Sequence, residues 1–566
     1  PLLATTPRTP PLPSLSRLTL RSSLPPHHSL SCIHHSRSSP MSAQQRPSAR
    51  HYEPVQRQSF DSEDLAESDR HHPSRSSWLA RFVQRLPVSV KHISNPSTYA
   101  RLITPRRKKR SLLRLLYWSF FSIPYVCLAL VILTSLFFPS YTHRPAHYNE
   151  LRKRSLRSSE PGRANLRNEK IFIVSSLYEQ NGEFTSGAWG QQVLKLVDLL
   201  GPDNVYLSIY ENNPDDLTRQ SLLDFEHKLT CKTGNSTIFS EDFDMEQLPR
   251  VTLPNGEKRI KRIAFLAEVR NRALAPLDKL DTEFDRILYI NDVNFDPIEA
   301  AQLLFATNVD DSGRASYSAA CAVDFINPFK FYDRFATRDL DGNRMGVPFF
   351  PWFTSAGSST SRRYTLANSD AIPVRSCWGG MTAFEAKWFQ SIDRTNDRQI
   401  PPIRFRSEND TFWDSSECCL VHADLAYRRT GQGMPLDSGI YMNPYIRVAY
   451  DMKTLSWLSL TRRPEKLYSL VQEIVNRWAG LPIPNERQTE EPGQPVTDKV
   501  WVYDDPVAAF KGSPTNAQLA GHFSEVQRIA NPGGFCGGRM LLILNPDPKE
   551  GESKWGNMFP PQPTRR

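Results

Sequence analysis

The sequence predicts an α/β domain with a mainly parallel sheet, preceded by a disordered tail and one membrane-spanning helix. Three observations lead there. Apolar, β-rich runs alternate with segments of helical spacing from Lys170 to Phe325, as in strands joined by crossover helices. A stretch of 24 residues without a charge, Leu115 to Phe138, separates this region from an Arg- and Ser-rich opening. The apolar run ILYI at 287–290 breaks abruptly into a polar cluster of Asn291, Asp292, Asn294 and Asp296, and ligands of open α/β sheets bind beyond the carboxyl ends of strands.

The chain has 566 residues, but its composition is uneven and the folded part is shorter. Residues 1–100 are rich in Ser, Pro, Arg and His without a sustained apolar period, and read as a disordered tail. Residues 1–40 contain no Asp or Glu and stop just before Met41. They read as translated upstream sequence or a fragment end, with Met41 as the expected start. A transit peptide is the other reading, but no clear amphipathic helix forms there.

A basic juxtamembrane segment, 101–114, leads into the uncharged stretch at 115–138, which is long enough to cross a hydrocarbon core of about 30 Å as a helix. The competing reading, a buried core helix, sits poorly with such a length free of charge. Pro124 kinks a spanning helix without forbidding it. Within 15 residues, seven Lys and Arg precede the span and three follow it, so the N-terminal side is expected in the cytosol. The expected arrangement is a single-pass type II protein with its larger part lumenal.

The net charge of +10 then needs no nucleic acid, because much of the excess lies in the tail and stem, where it suits the anionic head groups of a lipid bilayer. Two acceptor sequons, at Asn235 and Asn409, and six of the eight cysteines follow the span. An oxidising compartment lets those cysteines pair, in connectivities that spacing leaves open. No CxxC pair or zinc-type Cys and His spacing occurs.

Residues 139–168 are basic and polar and read as a stem, and 169–483 as the principal domain. Its predicted strands begin with the apolar run after Lys170 and with VYLSIYENN at 205–213, each followed by a helix. RIAFLAEVRNRAL precedes Pro276 as a helix, and RILYI, IEAAQLLFAT and SYSAACAVDF continue the alternation. The second half is richer in aromatics, as a sugar-binding cleft requires, although most such rings pack in cores. YMNPYIRVAYD at 441–451 closes the domain as a strand. Residues 484–500 are expected to be a linker and 501–566 a small appendage.

Four places carry candidate chemistry. Asp292 with Asn294 fits a hard cation such as Mn²⁺ or Mg²⁺, which needs one or two carboxylates and completes its shell with water and phosphate oxygens; the alternative is a turn former. Arg270, Asn271 and Arg272 offer guanidinium forks and an amide to a diphosphate, or form a solvated basic helix face. FYDRFATRDLDG brings Asp333, Arg334, Arg338, Asp339 and Asp341 together, as a binding segment or a salt-bridged helix before a turn. SSECCLVHADL holds Glu417, His422 and Asp424. No G-x-S-x-G elbow, H-E-x-x-H or Walker loop occurs.

Taken with the anchor, the segments FIVSSLYEQNG, AEVRNRALAPL, RILYINDVNFDP, YDRFATRDLDG, CWGG, SSECCLVHADL and YMNPYIRVAY resemble, in order and spacing, the fungal capsule-associated α-1,3-mannosyltransferase family, glycosyltransferase family 69. The resemblance runs from about Lys170 to Asp451. It implies a GT-A-like nucleotide-sugar-binding domain, transfer of mannose from GDP-mannose to a saccharide acceptor with retention, and residence in the Golgi membrane. Asp292 then takes the place of the family's acidic metal motif, though NDVN is not a full D-x-D. Arg270, Asn271 and Asn291 fall near the nucleotide, Asp333, Arg338 and Asp339 among the substrate-binding groups, and Glu417 and Asp424 toward the sugar or the acceptor hydroxyl. The other readings are a membrane-anchored glycan-binding protein and a transferase of another nucleotide sugar.

Overall fold

A computed structural model describes residues 112–230, 235–390, 401–503, 521–545 and 554–561. The expected tail, nearly all of the basic segment before the span, and Cys231 lie outside the described residues.

Helix α1 (Leu112–Phe137) runs through Pro124, and its apolar side chains from Tyr117 onward are unburied, at a mean hydropathy of 2.2. Among the described residues it is the one helix long and apolar enough to cross a membrane. The expected stem is instead built into the domain. Ser140 and Tyr141 are buried, and the Tyr141 hydroxyl donates to the Thr365 carbonyl at 3.0 Å. Helix α2 (Ala146–Arg157) buries Tyr148 and Leu151 one turn apart and keeps Arg152 and Arg154 half-buried and Arg157 exposed, the residues that made the sequence read as a polar spacer.

The domain is organised by a 10-stranded sheet. Its strands are β1 (Ile171–Leu177), β2 (Val205–Asn212), β3 (Ser236–Glu241), β4 (Arg286–Ile290), β5 (Ala319–Asn327), β6 (Lys330–Phe331), β7 (Arg338–Asp339), β8 (Ile372–Ser376), β9 (Met381–Glu385) and β10 (Ile440–Ala449). Their order is β3-β2-β1-β4-β9-β5-β10-β8-β7, with β6 beside β5. The pairs β3-β2, β2-β1, β1-β4 and β5-β10 are parallel, and β9 is inserted antiparallel between β4 and β5. Most strands therefore run one way, as expected. Central parallel strands are covered on both faces and carry near-continuous apolar runs; β4 is buried at every position.

Helices α3 (Ala188–Leu200), α4 (Asp216–Thr230), α5 (Arg262–Leu274) and α6 (Pro297–Ala306) complete the crossovers, with α3 against α6 and α5 over β1 and β2. The 32 residues between β7 and β8 hold only one short helix, α7 (Thr360–Leu366), and α8 (Glu417–Thr430) packs on β8 and α5.

The segment expected as linker and appendage is stitched to this body. Pro495–Tyr503 pairs with Gly521–Ile529, and Gly537–Gly538 pairs with Asp414–Ser415. Cys419 of α8 is bonded to Cys536. A second disulfide joins Cys321 of β5 to Cys377, and Cys418 is a buried free thiol.

Below β10, Arg447 is 1% exposed and holds Glu465 through two hydrogen bonds of 2.9 and 2.6 Å. Removing one charge of a buried pair strands the other, at a cost of about 3–5 kcal/mol. Glu465→Gln is accordingly expected to lower stability by roughly 3 kcal/mol in a denaturant titration, and a change below about 1 kcal/mol contradicts a structural role for the pair.

Candidate active site

The parallel register of β1, β2 and β4 brings their carboxyl ends to one side, and these ends line a cleft. Ser176 and Leu177 from β1, Asn212 from β2 and Asn291 and Asp292 after β4 face Leu266, Val269 and Arg270 of α5. The cleft continues into about 540 Å³ of open space bounded by Arg262, Asp324, Asp333, Trp378, Glu417 and Tyr450, among others.

The turn after β4 is held by its main chain. Asn291 N–H donates to the Gly380 carbonyl at 2.9 Å, Trp189 Nε1 donates to the Asn291 carbonyl at 2.9 Å, and Ser175 Oγ donates to the Ile290 carbonyl at 2.6 Å. The two glycines of CWGG are required here. Both have positive φ, and a Cβ would stand 2.0 Å from the Ala322 carbonyl oxygen at Gly379 and 2.6 Å from Val293 Cγ1 at Gly380.

Arg270 is the hub. Its Nε donates to Glu417 Oε1 at 3.0 Å and its Nη1 to Asn291 Oδ1 at 3.2 Å, while the guanidinium lies 4.6 Å from the Trp378 ring centre and 5.3 Å from that of Tyr289. Three predicted residues, Arg270, Asn291 and Glu417, thus meet beside Asp292.

Across the cleft, Asp333 accepts from Ala336 N–H at 3.0 Å, and its own N–H donates to Asp324 Oδ1 at 3.1 Å. The Tyr450 hydroxyl donates to Asp324 Oδ2 at 3.0 Å. Burial, and then the neighbouring Asp333, push the Asp324 carboxyl up to about 8. Burial also raises the Tyr450 phenol, with the charges of Asp324, Asp292 and Asp333 adding to it. Sequence reasoning missed Asp324 and Tyr450. The available signal was a lone acid inside the small, apolar strand SYSAACAVDF.

Other predicted residues are engaged elsewhere. The Asn271 amide clasps the main chain of Phe405 through two hydrogen bonds of 2.9 Å. Arg272 pairs with Glu241 and Glu268. Arg338 donates to the carbonyls of Phe335, Thr337, Phe535 and Cys536, and burial depresses it to about 9. Asp339 shapes the D-G turn by accepting from Asp341 N–H and Asn343 N–H, and Asp341 accepts from Ser358. Asp424 is paired through both oxygens with Arg406. Asn294 is buried and bridges by its main chain to Ala449.

His422 is fully buried and pushed down to about 4 by desolvation. Its ring lies near Cys321 and Cys377, but those sulfurs are bonded to each other and supply no thiolate.

The residues in the cleft fit a divalent cation in one respect. Asp292 and Asp333, both half-buried, border the cleft, and a hard cation with phosphate-supplied ligands asks for only one or two protein carboxylates. Arg262 and Arg270 also line the cleft, and guanidinium groups can hold a diphosphate by charge-assisted hydrogen bonds.

An α/β sheet with acids, an amide and arginines at its strand ends is compatible with a GT-A-like glycosyltransferase, and comparison with known proteins points to the same class. Residues 170–424 match the family described as Cryptococcal mannosyltransferase 1. No curated protein matches the chain.

Among solved structures, the mannosyltransferase PcManGT from Pyrobaculum calidifontis in complex with GDP-Man and Mn²⁺ aligns at 11% identity and a TM-score of 0.29, over 64% of this chain and 77% of that one. GalNAc-T7 with UDP, GalNAc and Mn²⁺ aligns at 12% and 0.28, over 50% and 43%. Mannosyl-3-phosphoglycerate synthase from Rubrobacter xylanophilus aligns at 11% and 0.26, over 69% and 98%.

The Asp324 carboxyl tests the electrostatics of the cleft. An unfolded carboxyl releases its proton near pH 4, while the folded one keeps it to about 8. The stability it contributes is complete below about pH 4 and is lost as pH rises toward 8. Asp324→Asn, neutral throughout, is expected to flatten that decline in thermal melts across this window. An unchanged slope contradicts the assignment.

Proposed function

We propose that the protein transfers mannose from GDP-mannose to a saccharide acceptor, forming an α-1,3 linkage in polysaccharide or glycoprotein glycans. The observation that carries the reading is the Arg270–Asn291–Asp292 arrangement at the converging ends of β1, β2 and β4, inside a segment that matches a mannosyltransferase family.

Asp292 is the residue we assign to a Mn²⁺ or Mg²⁺ ion and through it to the diphosphate. Bound there, the ion neutralises charge that develops on the leaving nucleoside diphosphate. Asn294, with its main chain fixed to β10, supports the turn that presents Asp292. Arg262 faces the diphosphate, and Arg270 holds Asn291 and Glu417 in place. Asp333, its carboxylate accepting from Ala336 N–H, faces the open part of the cleft. There it is placed to orient the sugar or take the acceptor proton, a step that requires hydrogen-bond reach. Glu417, already paired with Arg270, shapes the same wall.

We assign the protein to the Golgi membrane as a single-pass type II protein with a lumenal catalytic domain. The uncharged helix and its basic N-terminal flank support this reading, and so do two disulfides after the span. Both sequon asparagines, Asn235 and Asn409, are exposed.

The test is turnover by the purified full chain with a panel of nucleotide sugars and one saccharide mixture. GDP-mannose with Mn²⁺ is expected to be consumed and the mannose transferred. Asp292→Ala should lower the rate by about a hundredfold or more while the melting temperature holds. Preference for another donor overturns the donor assignment, and full activity of Asp292→Ala overturns the role of Asp292. Glycan binding without nucleotide binding or turnover overturns the catalytic reading.

A further inference from the structure

Two helices beside the end of α1 present large apolar side chains outward. They are α9 (Met452–Thr461) and α10 (Tyr468–Ala479), joined by the turn at 465–467. In α10 the side chains turned inward are Gln472 and Asn476, at 1% and 3% exposure, whereas Leu470, Val471, Ile474 and Trp478 are exposed, the last at 85%. These four positions fall within one arc of about 100° on a helix. On α9, Trp457 and Leu460 are exposed in the same way. The inward amides have work to do, since Gln472 bonds Arg362 and Phe353 and Asn476 accepts from Val347 N–H at 2.8 Å. The apolar face has no counterpart among the described residues, and a contiguous patch of this kind marks an interaction surface.

Its position identifies the occupant. The end of α1 packs against the 465–467 turn between these helices, where Thr134 is buried. Three residues beyond α1 the chain is fixed, with Ser140 fully buried and the Tyr141 carbonyl accepting from Arg462 Nη1 at 3.2 Å. A span joined to its domain without slack holds the neighbouring helices at the membrane surface. Lys453, Arg463 and Arg477 are exposed around the apolar positions, and tryptophan with basic residues is the composition of helices lying in the head-group layer.

We propose that α9 and α10 lie in the bilayer interface, with Leu470, Ile474, Trp478, Trp457 and Leu460 inserted among lipids, so that the domain rests on the membrane through a second contact besides its span. This rests on reading α1 as a membrane span, and the experiment separates the two.

The full chain, carrying a photoreactive benzoylphenylalanine in place of Leu470, Trp478, Leu130 or Leu217, is reconstituted into vesicles of phosphatidylcholine with phosphatidylserine and irradiated. Leu130 lies in α1, and Leu217 is exposed on α4 at the β3 edge of the sheet. Lipid adducts at 470 and 478 are expected at a yield near that of 130 and about fivefold or more above that of 217. Adducts at 130 alone overturn the proposal and leave the span intact, and no lipid adduct at 130 overturns both. Crosslinks from 470 or 478 to a second copy of the chain, in place of lipid, also overturn it, since they show the face to be a protein interface.

Discussion

The arrangement depends on one buried cation. Arg270 comes from the third turn of a helix, yet it fixes the side chain at the end of β4 and the first residue of α8, with rings of Tyr289, Trp378 and Phe405 around its plane. A desolvated charge is costly unless its donors are met, so the aromatic box and the two acceptors constrain one another. A planar fork stacked between rings is a task for arginine and not for lysine. Because Asn291 and Glu417 are far apart in sequence, this one side chain joins the parallel half of the sheet to the irregular half that walls the cleft. Asp324 on β5, Asp333 just after β6 and Tyr450 just after β10 reach the same cleft from beyond β9.

Much of this was legible in the residues. The continuous apolar character of β4, the polar cluster after it and the helix before it located one side of the cleft, because parallel strands must be buried on both faces and must end together. The glycines of CWGG were legible as a motif, but the reason for them was not; the Ala322 carbonyl that excludes a Cβ comes from β5 and the Val293 side chain from the turn after β4. Asp324 was hidden for a similar reason. Only the fold shows that an acid in an apolar strand faces Asp333 and a phenol. Conversely, Asn271, Arg338, Asp339 and Asp424 have the chemistry of a binding site, and the fold spends them on loops, where a buried main chain needs donors and acceptors as much as a ligand does.

The two ends of the domain misled sequence reading in the same way. Around α2 and after residue 484, polar and charged residues dominate the composition, and composition alone suggests a spacer. A few well-spaced apolar residues, Tyr141, Tyr148 and Leu151 at one end and Phe535, Cys536 and Leu541 at the other, are enough to bury each segment. The α10 helix is the inverse case. Its period is an ordinary amphipathic one, and nothing in the period says which side faces the protein.

The stitching of the C-terminal segment sets the order in which the cleft can be assembled. Leu542 lines the cleft and donates its N–H to Asp414, Arg338 is capped by the carbonyls of Phe535 and Cys536, and Cys536 stands 117 residues beyond its partner Cys419. A ribosome delivering the chain from its N-terminus therefore leaves Arg338 without these two acceptors until the 198 residues that separate it from Cys536 have been translated. Through that interval the nascent chain has its span and sheet in hand but an unclosed wall, so the cleft can be complete only after nearly the whole chain has emerged.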